Sequence, residues 1–214
     1  MNKILVFFSV ILITISVDAA KKSLNIKKNV EPLVVWDGEE IGKRAKGWAA
    51  PKEEDGTSTV SVISIATNKG YKSKNALCWK VKGPEWKGFG WNWFSWWPPD
   101  AGTDISDYSS ISFWIRFEFD KTSYEKYPQI GNITFNISCS SDGGKRSADV
   151  NIINYTKEDI LDFEWHKIKI PLKDLLDNET SREFDMKTVW EFGMGLWTAD
   201  DQDFTLFIDT VSFE

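Results

Sequence analysis

Ile111-Ser-Phe-Trp-Ile-Arg-Phe-Glu-Phe119 alternates without a break. Ile111, Phe113, Ile115, Phe117 and Phe119 fall in one phase, and Ser112, Trp114, Arg116 and Glu118 in the other. Successive side chains of a strand point to opposite faces, so this is a strand with one face against an apolar interior. Ile133 to Cys139 repeats the pattern, with Ile133, Phe135, Ile137 and Cys139 set against Asn132, Thr134, Asn136 and Ser138. Asp142-Gly143-Gly144 reads as a hairpin turn. Beyond it Val150 and Ile152 continue inward while Asp149 and Asn151 point out.

The same reading extends to both ends of the chain. Leu33–Trp36 is a short strand closed by the turn Asp37-Gly38-Glu39-Glu40. Val60–Thr67 runs to the turn Asn68-Lys69-Gly70, and Ala76–Lys82 is broken by Gly83-Pro84. Trp165–Ile170, Val189–Trp197 and Phe204–Phe213 complete the set. Residues 42–58 read as loop, with Trp48 their only large apolar side chain, and Lys173–Asp177 as one helical turn. About nine short strands at regular spacing, with no amphipathic helix of any length, predict an all-β antiparallel sandwich or jelly roll.

Five of the twelve tryptophans lie between Trp86 and Trp97, in Glu85-Trp-Lys-Gly-Phe-Gly-Trp-Asn-Trp-Phe-Ser-Trp-Trp-Pro-Pro-Asp100. Alternation divides them. Phe89, Trp91 and Trp93 share a phase with no polar member, so they are expected in the core. Gly88, Gly90 and Asn92 face the other way and leave room above the sheet, with Trp86 on that side and Trp96 and Trp97 at its rim.

The 214 residues suit one domain with a proper core. A net charge of −6 argues against nucleic acid, whose phosphates need a basic surface. Lys3 followed by the apolar run Ile4–Val17 and the small residues around Ala19 predicts a signal peptide over 1–19. A linker over 20–32 and a single domain over 33–214 follow. The run is short for a membrane span and no Cys follows it, so a secreted monomer without a membrane anchor is expected. Cys78 and Cys139 could then form a disulfide or remain two buried thiols on different strands.

Several segments in order carry a resemblance. They are Val35-Trp-Asp-Gly-Glu39, Tyr71–Asn75 before a strand, and Trp86-Lys-Gly-Phe-Gly-Trp91. Asp104–Ile115, Glu164–Leu172 and Phe207–Phe213 complete the order. Together they resemble the galactose-binding-like jelly rolls that serve as carbohydrate-binding modules of secreted glycanases, close to those that grip β-glucan chains on a concave face. The resemblance implies a structural calcium held by Asp37, Glu39 and Asp209, with Thr210 where such modules usually carry a second Asp. The residues themselves read equally as solvated turn acids.

Sugar recognition needs aromatic rings against pyranose C–H patches and planar or charged partners for hydroxyls. The outward phases supply both. Trp114, Arg116 and Glu118, then Asn136, Asn151, Glu191 and Trp197, are expected to share one cleft with Trp86, Asn92, Trp96 and Trp97. The ligand implied is a polysaccharide or oligosaccharide, a β-glucan or related plant-type glycan. Two other readings stay open: a jelly-roll glycoside hydrolase or polysaccharide lyase, and a secreted protein-interaction sandwich. Glycoside hydrolysis needs two facing carboxylates, and the nearest approach to alternating acids on a strand, Glu118-Phe119-Asp120, has no third acid where such a motif would continue. Sequons stand at Asn132, Asn136, Asn154 and Asn178, and in a source that attaches N-glycans one on Asn132 or Asn136 would cover the proposed cleft.

Overall fold

The computed structural model describes residues 30–41, 45–51, 59–93, 102–119, 132–140, 145–156, 159–176, 183–198 and 203–214. Among them twelve strands pair into two six-stranded antiparallel sheets. The back sheet runs β10 (His166–Pro171), β6 (Ser110–Phe119), β12 (Phe204–Phe213), β4 (Asn75–Lys82) and β3 (Val60–Thr67). Its sixth strand, β1 (Leu33–Trp36), also pairs with β12. The front sheet runs β2 (Lys46–Ala50), β5 (Glu85–Asn92), β11 (Val189–Thr198), β7 (Ile133–Cys139) and β8 (Lys145–Arg146). There β9 (Val150–Asn151) pairs with β7. The result is a β-sandwich of the jelly-roll type, with one short helix, α1 (Leu172–Leu176), and a 3-10 turn over Ile152–Tyr155.

Alternating apolar phases meet in the space between the sheets. Phe113 of β6 stacks on Phe135 of β7, centroids 4.9 Å apart and planes 20° from parallel. Trp79 of β4 tilts against Phe89 of β5 at 5.1 Å, and Trp36 meets Trp91 edge-on at 5.5 Å. Trp79 would leave a buried N–H unsatisfied, but its Nε1 donates to Ser61 Oγ at 2.9 Å. That hydroxyl donates in turn to the Gly88 carbonyl at 3.0 Å, so one serine ties the back sheet to the front. The chain passes from β4 in the back sheet to β5 in the front at Gly83, whose φ of +80° suits glycine. Trp91 is buried and Trp93 packs against the same core, so the apolar phase of the tryptophan-rich stretch is scaffold.

Two readings of the sequence need correcting. Residues 46–50, read as loop, form the edge strand β2, paired with Gly88–Asn92. Lys46-Gly-Trp-Ala-Ala50 has no β-branched residue and is a strand because of its pairing, not its propensity. Gly47 makes the approach possible, since a Cβ there would lie 2.8 Å from the Trp91 ring. Ile152, expected to continue a strand inward, is buried but opens the 3-10 turn. The hairpin turn expected at 142–144 lies outside the described residues.

Cys78 and Cys139 are separate buried thiols. Cys139 lies in the central core, whereas Cys78 joins Ala76 and Phe207 in a small cluster on the outer side of the back sheet. His166 is buried on β10, its Nε2 2.6 Å from Asp162 Oδ1.

Glu214 draws three strands together. It accepts from Ser112 Oγ at 2.6 Å, Lys167 Nζ at 2.9 Å and Lys169 Nζ at 2.8 Å. Burial pushes its carboxyl up, but the bonds from Lys169, Ser112 and Lys167 outweigh it and hold the group at about 2. Its folded value lies below the ordinary 4.5, so its stabilisation is complete above that pH and is lost as pH falls toward 2. In urea denaturation Glu214→Gln should be less stable than the wild type at pH 6 by roughly 1–2 kcal/mol, screening included. The two should converge near pH 2; a gap that does not depend on pH would contradict this.

Candidate functional site

The outer face of the front sheet is built around missing side chains. In the β5–β11 pair, Gly90 lies opposite Gly193 and Gly88 opposite Gly195. The alternate residues Phe89, Phe192, Met194 and Leu196 point into the core. What remains outside is a floor of backbone, and indoles pack against it. A Cβ on Gly88 would come within 2.5 Å of Trp86 Cζ2, and one on Gly195 within 3.4 Å of Trp86 Nε1. The Trp86 ring therefore spans both strands. Trp197, its register partner, stands 68% exposed beside it.

A third indole comes from the edge strand. Trp48 of β2 lies across Gly90, where a Cβ would sit 2.2 Å from its Nε1. The Nε1 donates to Glu191 Oε2 at 3.0 Å, and Ser138 Oγ reaches Glu191 Oε1 at 3.3 Å. Burial pushes the Glu191 carboxyl up, against the pull of its bonds from Trp48 and Ser138 and of the Arg146 charge. Trp48 was missed in the sequence because its strand reads as loop. The outward glycines of β5 and β11 were the signal available, since an emptied sheet face implies something laid upon it.

The other margin is polar. Asn136 Nδ2 donates to Asp149 Oδ1 at 2.9 Å, and Arg146 Nη2 to both Asp149 oxygens at 2.9 Å. Asn151 Nδ2 donates to Asn132 Oδ1, also at 2.9 Å. Exposed rings thus border amide, guanidinium and carboxylate groups, the two kinds of partner a sugar ring needs.

Of the residues expected to form one cleft, Trp86, Asn136, Asn151, Glu191 and Trp197 gather here. Asn92 shares the face opposite Glu191 but is buried, and Trp96 and Trp97 lie outside the described residues. Trp114, Arg116 and Glu118 do not share this face. They sit on β6 of the back sheet and point from the opposite side of the sandwich. There Trp114 stacks on Tyr71 at 3.8 Å and 22°. The Arg116 guanidinium lies over Phe207 at 5.0 Å and Trp165 at 5.3 Å, and Glu118 accepts from Arg116 and Lys69 at 2.8 Å each. Those groups cover one another.

Asp37, Glu39 and Asp209 surround the junction of the first turn and the last strand. Asp37 Oδ1 accepts the Glu39 and Ile41 N–H groups at 2.8 and 3.0 Å, and Glu39 accepts the Lys74 N–H. Asp209 is wholly buried, taking the Tyr71 N–H at 2.7 Å, Ser73 Oγ at 3.0 Å and the Thr210 N–H at 2.7 Å. Among the described residues no group of three or more His, Cys, Asp or Glu side chains is arranged to hold a metal. As they stand, the carboxylates fasten the turn through protein donors.

An exposed row of indoles on a glycine floor, edged by polar groups, is the kind of surface that β-sandwich domains offer to carbohydrate. The chain belongs to the family described as carbohydrate binding domain 30, whose profile matches residues 35–214. Solved structures share the fold. The family 30 carbohydrate-binding module of a cellulosomal cellulase of Clostridium thermocellum is 16% identical with a TM-score of 0.62, covering 86% of this chain and 98% of that one. A family 11 module from the same organism, in complex with a β-1,3-1,4-mixed-linked tetrasaccharide, is 15% identical with a TM-score of 0.55, covering 86% and 95%. A β-1,2-glucanase of Parabacteroides distasonis is 16% identical with a TM-score of 0.57, covering 86% of this chain but 25% of that one. Comparison with curated proteins gives no match.

The floor can be tested without any ligand. Gly88→Ala should lift the Trp86 ring off the sheet and leave the fold intact, because that indole is already 40% exposed and can swing aside. Acrylamide quenching of tryptophan fluorescence should rise while the thermal midpoint moves by only a few degrees. Unchanged quenching would mean that the ring does not rest on Gly88.

Proposed function

We propose that the protein is a secreted, non-catalytic module that binds a β-linked glucan, or a related plant-type polysaccharide, along the outer face of the front sheet. The observation that carries the reading is the row of Trp48, Trp86 and Trp197 lying on or beside the floor of Gly88, Gly90, Gly193 and Gly195. Indoles on a bare backbone floor can offer ring faces to the C–H patches of consecutive sugars. Asn151, Arg146 and Asp149 then meet hydroxyls at one margin, where the buried Asn136 holds Asp149.

A glucan ligand is supported by two of the similar structures, one a module of a cellulase and the other complexed with a mixed-linked β-glucan fragment. Absence of catalysis is supported by how the acids of this face are used. Glu191 is engaged by Trp48 and Ser138, and Asp149 by Arg146 and Asn136. Secretion is supported by the apolar run Ile4–Val17 after Lys3.

Affinity electrophoresis against soluble β-glucans, xylans and mannans tests the reading. Mixed-linkage β-glucan should retard the wild type. Trp86→Ala and Trp197→Ala should each weaken binding about tenfold, the equivalent of one lost stacking contact. Trp114→Ala, on the opposite sheet, should leave retardation unchanged. No retardation by any glycan would overturn the reading, and reducing sugar released from the panel would replace it with an enzyme.

A further inference from the structure

We propose that Glu191 is a positioning residue: it acts on the ligand through Trp48, holding that ring over Gly90, and does not itself touch the sugar. The inference rests on the glycan-binding reading of this face and goes further in assigning who touches the ligand. Trp48 sits on the edge strand β2, which among the described strands pairs only with β5. Its two side-chain torsions would let the ring stand up into water, where it would present an edge. One bond prevents this. Trp48 Nε1 donates to Glu191 Oε2 at 3.0 Å, which ties the ring to the floor, and Gly90 gives it room.

Glu191 has little left to offer a sugar. It is 7% exposed, and its oxygens face Trp48 and Ser138, one each. An indole carries one donor, so an N–H given to Glu191 is not available to a hydroxyl. Trp48 therefore reads the C–H face of its sugar and no hydroxyl. That stacking position should tolerate variation in linkage, leaving discrimination to the Asn136–Asp149–Arg146 margin.

Among the described residues the charge acting on Glu191 is that of Arg146 on β8, with Asp149 bound to it, and Lys46 lies one strand further off in the same register, beyond Asn92. None donates to it directly among the hydrogen bonds described above. Burial raises its carboxyl, which gives the anchor a signature in solution.

Two readouts decide the matter. Without ligand, the Trp48 indole 1H–15N cross-peak, assigned by its loss in Trp48→Phe, should titrate in the wild type with a midpoint above the ordinary glutamate range. It should not do so in Glu191→Gln. With mixed-linkage β-glucan, Glu191→Ala should weaken binding about tenfold, and Glu191→Gln, which keeps an acceptor for the indole, by less than about threefold. In a Trp48→Phe background, which has a ring and no N–H, Glu191→Ala should cost nothing further. Additive losses, or a Gln variant as weak as the Ala variant, would make Glu191 a direct sugar contact and overturn the proposal. An indole cross-peak that ignores Glu191 would overturn it as well. If the wild type binds no glucan, the binding reading fails by itself, and the cross-peak still decides the anchor. If Glu191→Ala does not fold, Glu191→Gln and the titration suffice.

Discussion

The aromatic layer between the sheets governs what each outer face can be. Phe113 against Phe135 and Trp79 against Phe89 fill the interior from both sides. A strand that gives its large apolar phase to that layer has only its alternate phase to show outside. On β5 and β11 that phase is Gly88, Gly90, Gly193 and Gly195, bounded by Trp86 and Trp197. Fixing Phe89 and Phe192 in the core thus opens the trough on the other side. The Ser61 hydroxyl, bonded to Trp79 and to the Gly88 carbonyl, links core and floor in a single relay.

The two outer faces spend similar residues differently. On the back sheet Trp114 stacks on Tyr71, Tyr71 tilts against Trp165, and Arg116 lies over Trp165 and Phe207, so ring faces are taken up within the protein. On the front sheet Trp86 and Trp48 rest on glycine. The number of aromatic residues does not separate these faces. What does is whether the layer beneath a ring is another ring or bare backbone.

This explains what could be read from the chain beforehand. The sandwich, the core assignment of Trp91 and the outward placement of Trp86, Glu191 and Trp197 all follow from period-two alternation, which burial of one face enforces. Alternation separates inside from outside but is silent about which outside. Trp114, Arg116 and Glu118 point outward as read, yet from the other sheet, because β6 pairs with β10 and β12. Sheet membership depends on long-range pairing that no local pattern records. Trp48 escaped for a related reason: Lys46–Ala50 is a strand only because Gly88–Asn92 lies beside it.

The central claim is that the glycine-floored front face, and not the self-covered back face, meets the glycan. Titrating the 15N-labelled protein with a mixed-linkage β-glucan oligosaccharide and following the tryptophan indole resonances tests this most directly. The account predicts that Trp48, Trp86 and Trp197 shift with the added sugar while Trp114 and Trp165 stay in place. Shifts confined to Trp114 and Trp165 would contradict it.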